Sequence, residues 1–177
     1  MSAGHVTRPR HFGAGLLAAL LVLLADQASK WAILRPLDLP VRGQIVLAPV
    51  LNLTMVWNRG VTFGLLTGLG AWGSWLLVAV ALAVVGALGM WLCRAESRVV
   101  AIALGAIAGG AISNVIDRLR FGAVVDFIDA HIGGWHWYVF NVADAAIVCG
   151  VAALVIESQW GRRSTRSEGH SADSRSS

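Results

Sequence analysis

The sequence predicts an all-α membrane protein. We expect a bundle of four transmembrane helices, with a small extracytoplasmic β-sheet and loop region and both termini cytoplasmic. Three observations lead there. Of the 177 residues 56% are hydrophobic and only 14% charged, with a mean hydropathy of +0.68, whereas soluble domains carry about 25% charged residues. Four apolar runs approach the roughly 20 residues that a helix needs to cross about 30 Å of hydrocarbon. The basic residues flank those runs, where they orient helices, so the net charge of +4 does not imply nucleic acid as a partner.

The first run, about 12–34, is FGAGLLAALLVLLADQASKWAIL. Arg8 and Arg10 before it imitate the n-region of a secretory leader. The stretch ADQASK offers no clear small-x-small cleavage site and apolar character resumes at Trp31, so the run reads as an uncleaved span. The second run is about 72–92, the third about 99–119 and the fourth about 137–160. Arg8, Arg10, Arg94, Arg98, Arg162, Arg163, Arg166 and Arg175 fall in segments that four spans place on one side. The excess of basic residues there puts the termini in the cytoplasm. Lys30, Arg35, Arg42, Arg59, Arg118 and Arg120 fall at span ends or in the opposite loops. Trp31, Trp72, Trp75, Trp135 and Trp137 mark outer ends and Trp91 and Trp160 inner ends, as interfacial belts do.

Between the spans, residues 35–71 are too many for a simple connector. VLNLTMVWN alternates Leu51, Leu53 and Met55 with Asn52, Thr54 and Val56, a strand pattern. Residues 120–136 begin strand-like and are later broken by glycine. The division is thus a membrane domain over 1–160 and a serine- and arginine-rich tail over 161–177, which composition marks as disordered. Cys93 and Cys149 lie unpaired in apolar runs and read as small buried hydrophobes.

The spans also carry polar residues at matching depths. At about 1.5 Å per residue, Asp26 lies about 21 Å above Phe12, and Asn114 and Asp117 about 22 and 27 Å above Val99. Asp144 lies about 10 Å below Trp137. Asp26 and Lys30 are i,i+4; Asn114, Asp117 and Arg118 form one stripe; Asn141 and Asp144 are i,i+3. Intramembrane ionisable residues face a bundle interior and mark function, or they serve as interhelical glue. For Asp26–Lys30 and Asp117–Arg118 both readings stand. Asp144 has no basic residue within a turn and needs a partner or a task. Asp126, in the apolar setting AVVDFI, can face it if the loop folds back, while Asp129 begins a more polar stretch and reads as solvated. Two close carboxylates share a proton, so one can activate water while the other protonates a leaving group. The residues alone leave that pairing open. His131 and His136 lack further ligands, and neither a metal nor another cofactor is expected.

In order along the chain stand DQASK (26–30), NRGVTFGLL (58–66), GGAISNVIDRL (109–119), VVDFID (124–129) and FNVADAAI (140–147). With these motifs on these spans, the chain resembles bacterial lipoprotein signal peptidase (signal peptidase II), a four-span aspartic protease. The resemblance implies that Asp126 and Asp144 are the catalytic dyad. It further implies that Asp26, Lys30, Asn58, Gly60, Asn114, Asp117, Arg118, Asn141 and Ala143 line or support the site. Asn58 and Arg118 would lie near the substrate backbone, and Asn114 and Asn141 would orient the dyad. The family often has Ala-Ala at Val61–Thr62 and Gly at Ser113. The implied substrate is a prolipoprotein, cut just before a diacylglyceryl-modified cysteine. The implied setting is a monomeric enzyme among the lipids of the bacterial cytoplasmic (inner) membrane, with its site near the outer leaflet. A proton-coupled transporter using Asp26, Asp117 and Asp144 is the alternative, and a scaffold would leave Asp144 unexplained.

Overall fold

The computed structural model describes residues 10–60 and 71–173, with side chains over 10–60 and 72–160. Val61–Leu66 of the second motif lie outside the described residues. Four helices are long and apolar enough to cross a membrane: α1 (Phe12–Leu34), α3 (Ala71–Leu92), α4 (Arg98–Phe121) and α5 (Val142–Asp173), the last over Val142–Trp160. A short α2 (Leu39–Arg42) and strands β1 (Gln44–Ala48), β2 (Leu51–Asn58), β3 (Val124–Ile132) and β4 (Trp135–His136) are the other elements among the described residues.

Helix α4 is the axis of the bundle. Over half of its apolar window (56%) is buried against 11% in each of the other three, and α1, α3 and α5 all pack on it. Small residues allow this. A Cβ at Gly105 would overlap the carbonyl of Gly15, and one at Gly109 that of Ala19, so the two backbones meet through a small-xxx-small stripe. Ser97 starts α4 by accepting from the N–H groups of Val99 and Val100, as helix N-caps do. Its hydroxyl also donates to Glu157 Oε1 at 2.6 Å, tying α4 to α5. Gly122, at φ +70°, ends α4 by donating its N–H to the Arg118 carbonyl, a left-handed cap that favours glycine.

The sheet is antiparallel in the order β1-β2-β3-β4. Asn58 stands opposite Val124, and Val56 opposite Asp126. The sheet rests on the end of α1 through a small core of Ile33, Leu39, Val125 and Phe127. Gly133 and Gly134, at φ +57° and +81°, turn β3 into β4 in the left-handed region.

The structure departs from the sequence reading at several points. The fourth helix starts at Val142, not near 137, because Phe140 exchanges backbone hydrogen bonds with Ile128 of β3 and the chain stays extended until Asn141. Helix α5 runs on to Asp173 through most of the segment read as a disordered tail, since a nucleated helix adds one bond per residue fixed. Cys93, in the turn just after α3, and Cys149, on α5, are free and exposed rather than buried. All eight tryptophans are also exposed.

Candidate active site

Beneath the sheet, β3 meets the first turn of α5. Asp126, on β3, is fully buried. Its Oδ1 accepts from Asn141 Nδ2 at 2.7 Å and its Oδ2 from Asn58 Nδ2 at 2.9 Å. Asn58 can present only that nitrogen, because its Oδ1 accepts from the Gly60 N–H at 3.2 Å. Asn141 is the residue before α5. Its Oδ1 accepts from the Asp144 N–H at 2.8 Å, and Asp144 Oδ2 accepts from the Asn141 N–H at 3.3 Å. This reciprocal pair satisfies donors that a helix start leaves open. Asp144 is therefore a first-turn residue, not one seven residues into the span. Its Oδ1 accepts from Asn114 Nδ2 at 2.9 Å. One residue, Asn141, thus holds both carboxylates, Asp126 through its amide and Asp144 through its backbone.

The supporting layer is charged. Lys30 Nζ lies 2.6 Å from Asp26 Oδ2 and 2.7 Å from Asp117 Oδ2, with all three residues buried. It also donates to Asn114 Oδ1 at 3.1 Å, which fixes the Asn114 amide with its nitrogen toward Asp144. Asp117 takes its cation from Lys30, not from Arg118 as the sequence suggested, because consecutive helical residues do not face each other. Arg118 instead donates to the Asn114 carbonyl at 3.3 Å. Its Nε is buried with no partner among the described residues, and the guanidinium lies within electrostatic reach of Asp126 and Asp144.

The two supporting acids also hold backbone. Asp26 Oδ1 accepts from the Ala143 N–H at 2.8 Å, and Asp117 Oδ2 from the Val125 N–H at 3.1 Å. Each of those residues immediately precedes one of the paired aspartates. Ser113 and Gln27 belong to the same network and were missed as site residues. Ser113 Oγ donates to Asp26 Oδ2 at 2.7 Å, and Gln27 Nε2 donates to Asp117 Oδ1 at 3.0 Å and to Ser113 Oγ at 2.9 Å. The available signal was spacing: Ser113 is four residues before Asp117, and Gln27 three before Lys30.

Burial pushes the Asp126 carboxyl up to about 6; the hydrogen bond from Asn58 opposes the shift and the charge of Asp144 adds to it. Two like charges with a shared tether, one of them in the range where a proton exchanges near neutrality, suit general acid–base chemistry.

Asp129 is not the solvated acid expected. It is buried, accepting from Thr54 Oγ1 at 3.0 Å and Asn52 Nδ2 at 3.4 Å and pairing with His136 Nδ1 at 2.8 Å. The His136 bond holds its carboxyl below the usual carboxylate range. His131 stacks on His136 with ring centroids 4.8 Å apart. No group of three or more His, Cys, Asp or Glu among the described residues is placed to hold a metal ion.

Comparison with known proteins points in one direction. A family model described as signal peptidase (SPase) II matches residues 18–160. The lipoprotein signal peptidase of Methylobacterium sp. (strain 4-46) is 52% identical over 153 residues, which is 86% of this chain and 92% of that protein. That of Methylobacterium radiotolerans is 53% identical over 147 residues, 83% and 86% of the two chains. A solved bacterial membrane enzyme superposes with a TM-score of 0.71 at 28% identity, covering 85% of this chain and 95% of the other.

Proposed function

The chain belongs to the signal peptidase II family, and from that premise we propose that Asp126 and Asp144 are the dyad with which it cuts prolipoproteins. The protein is a multi-pass membrane protease that removes signal peptides from prolipoproteins. The same relatives give the proton-transporter reading no support.

In the proposed reaction the pair holds one proton. The ionised member takes a proton from water as the water attacks the scissile carbonyl. The protonated member then gives its proton to the departing amine. The proton belongs to the pair and not to either residue alone. The single observation that supports this reading most is the convergence of both carboxylates on Asn141. Arg118, with a buried donor to spare, would receive the substrate backbone or the oxygen that becomes negative in the transition state. Asn58 and Gly60 would border the substrate, while Asn114 and Asn141 aim the dyad. Asp26, Lys30, Asp117 and Ala143 would hold its backbone.

The substrate cysteine carries a diacylglyceryl group in this reading, and cleavage falls just before it. The sheet lies on the extracytoplasmic side, both termini are cytoplasmic, and the dyad sits near the outer leaflet of the bacterial cytoplasmic membrane, where the lipid of such a substrate would reach it. Every residue named comes from one chain, so a monomer suffices.

The test is processing of a diacylglyceryl-modified prolipoprotein in cells depleted of their own lipoprotein signal peptidase. Asp126→Asn and Asp144→Asn should each insert normally and slow cleavage by about 10²- to 10⁴-fold. Wild-type processing by either variant would end the dyad assignment.

A further inference from the structure

Of the six basic residues at the sheet end of the spans, Lys30 and Arg118 belong to the site, but Arg35 and Arg120 do not. Both line a cleft of about 240 Å³ between the ends of α1 and α4. Its polar inner residues, Lys30 and Asp117, are already paired with each other, and both Asp117 oxygens accept further bonds from Gln27 and Val125. The cleft therefore presents two guanidinium groups with no ion pair among the described residues, framed by Trp31 and Trp57. Arg120 lies over the Phe121 ring at 5.0 Å, and that ring meets Trp57 edge-on at 5.6 Å, so the arginine is held at an aromatic surface.

Position decides what would bind. Leu34 and Phe121 are the last residues of two helices long enough to span a bilayer, so the cleft opens at the level of the lipid headgroups, whichever side of the membrane it faces. Two arginines at that depth, beside an apolar aromatic frame, match a phosphodiester joined to acyl chains. We propose that this cleft binds the headgroup phosphate of an anionic phospholipid, with Arg35 and Arg120 as its ligands and Trp31 and Trp57 flanking the glycerol and first methylenes. The site is separate from the dyad and does not depend on the roles given to Asp126 and Asp144.

The experiment uses the full chain in neutral detergent, exposed to equal amounts of phosphatidylglycerol and phosphatidylcholine, with retained lipid counted by native mass spectrometry. The wild type should retain phosphatidylglycerol in preference. Arg35→Gln and Arg120→Gln should each reduce that retention about fivefold. Arg94→Gln, at the other end of the bundle, should leave it unchanged. Arg35→Lys with Arg120→Lys preserves the charge and should keep part of the preference, losing the forked geometry. Cleavage of prolipoprotein at the wild-type rate by the glutamine variants would show that they are folded; if they are not, the lysine pair decides. Equal retention of the two lipids by the wild type would overturn the proposal. So would undiminished preference in the folded glutamine variants or, should they fail to fold, preference in the lysine pair as strong as in the wild type. Displacement of the lipid by millimolar inorganic phosphate at matched ionic strength would assign the cleft to the free ion and also overturn it.

Discussion

Removing the Asn141 side chain would release Asp126 Oδ1 and the Asp144 N–H together, since its amide bonds both. In the proposed mechanism the substrate is bound elsewhere, by Arg118 and the Asn58 region. Asn141→Ala should therefore lower kcat by about 10²-fold, the scale of a misplaced catalytic group, with little change in KM. Kinetics on purified enzyme would show the split; a KM effect alone would make Asn141 a substrate contact. Asp126 makes a second prediction, in pH. Its carboxyl rises from 3.8 to about 6 in the fold, so the folded state binds its proton more tightly than the unfolded state does. The stability contribution is complete below about pH 4 and is lost as pH rises through about 6. Replacing the group with Asn removes that loss. Relative to wild type, Asp126→Asn should gain up to about 3 kcal/mol between pH 4 and pH 8. Melting curves of the two proteins that stay parallel across this window would contradict the shift.

At the level of elements, the closest packing in the bundle is α4 on α1, where Gly105 and Gly109 leave no room for a side chain against the Gly15 and Ala19 carbonyls. Gly105→Leu should force the helices apart and cost about 1–3 kcal/mol. The same change at Gly89, where nothing lies within 4 Å, should be tolerated. Thermal unfolding in detergent compares them, and equal losses would mean the stripe is not the contact that matters. The helices were legible in the sequence because length and apolarity report directly on the lipid solvent. Strand β2 was legible from its alternation, with Leu51, Leu53 and Met55 on one side. What failed depended on distant partners. The stretch Trp137–Phe140 is apolar enough for helix, but Phe140 is claimed by Ile128 of β3. Asp129 looked solvated because Asn52 and Thr54, which satisfy it, lie more than 70 residues away. Strand β1 and helix α2 are short elements with no periodicity of their own. In the site, Asp26, Lys30, Asn114, Asp117, Asn141 and Asp144 were visible as polar residues at helical spacing. That Lys30 serves both Asp26 and Asp117 was not, since spacing along one helix cannot say which cation a neighbouring helix supplies.

Across the whole molecule, three buried charges join four elements. Asp26 and Lys30 come from α1 and Asp117 from α4; the carboxylates accept the N–H groups that open α5 and β3, one residue ahead of Asp144 and Asp126. Assembly of the bundle and placement of the proposed dyad thus rest on the same contacts. Lys30→Met would leave two buried carboxylates without their cation, a change that typically costs about 3–5 kcal/mol. It should lower both the melting temperature and the yield of active enzyme. Adding Asp117→Asn removes one of the stranded charges, while the amide oxygen can still accept from Val125. The double variant should therefore melt above Lys30→Met alone, by an interaction of about 0.5–3 kcal/mol, and recover part of the cleavage rate. Strictly additive losses would show that the charges act independently. A double variant that regains stability without activity would place the network in folding alone and leave the aim of the dyad to Asn114 and Asn141.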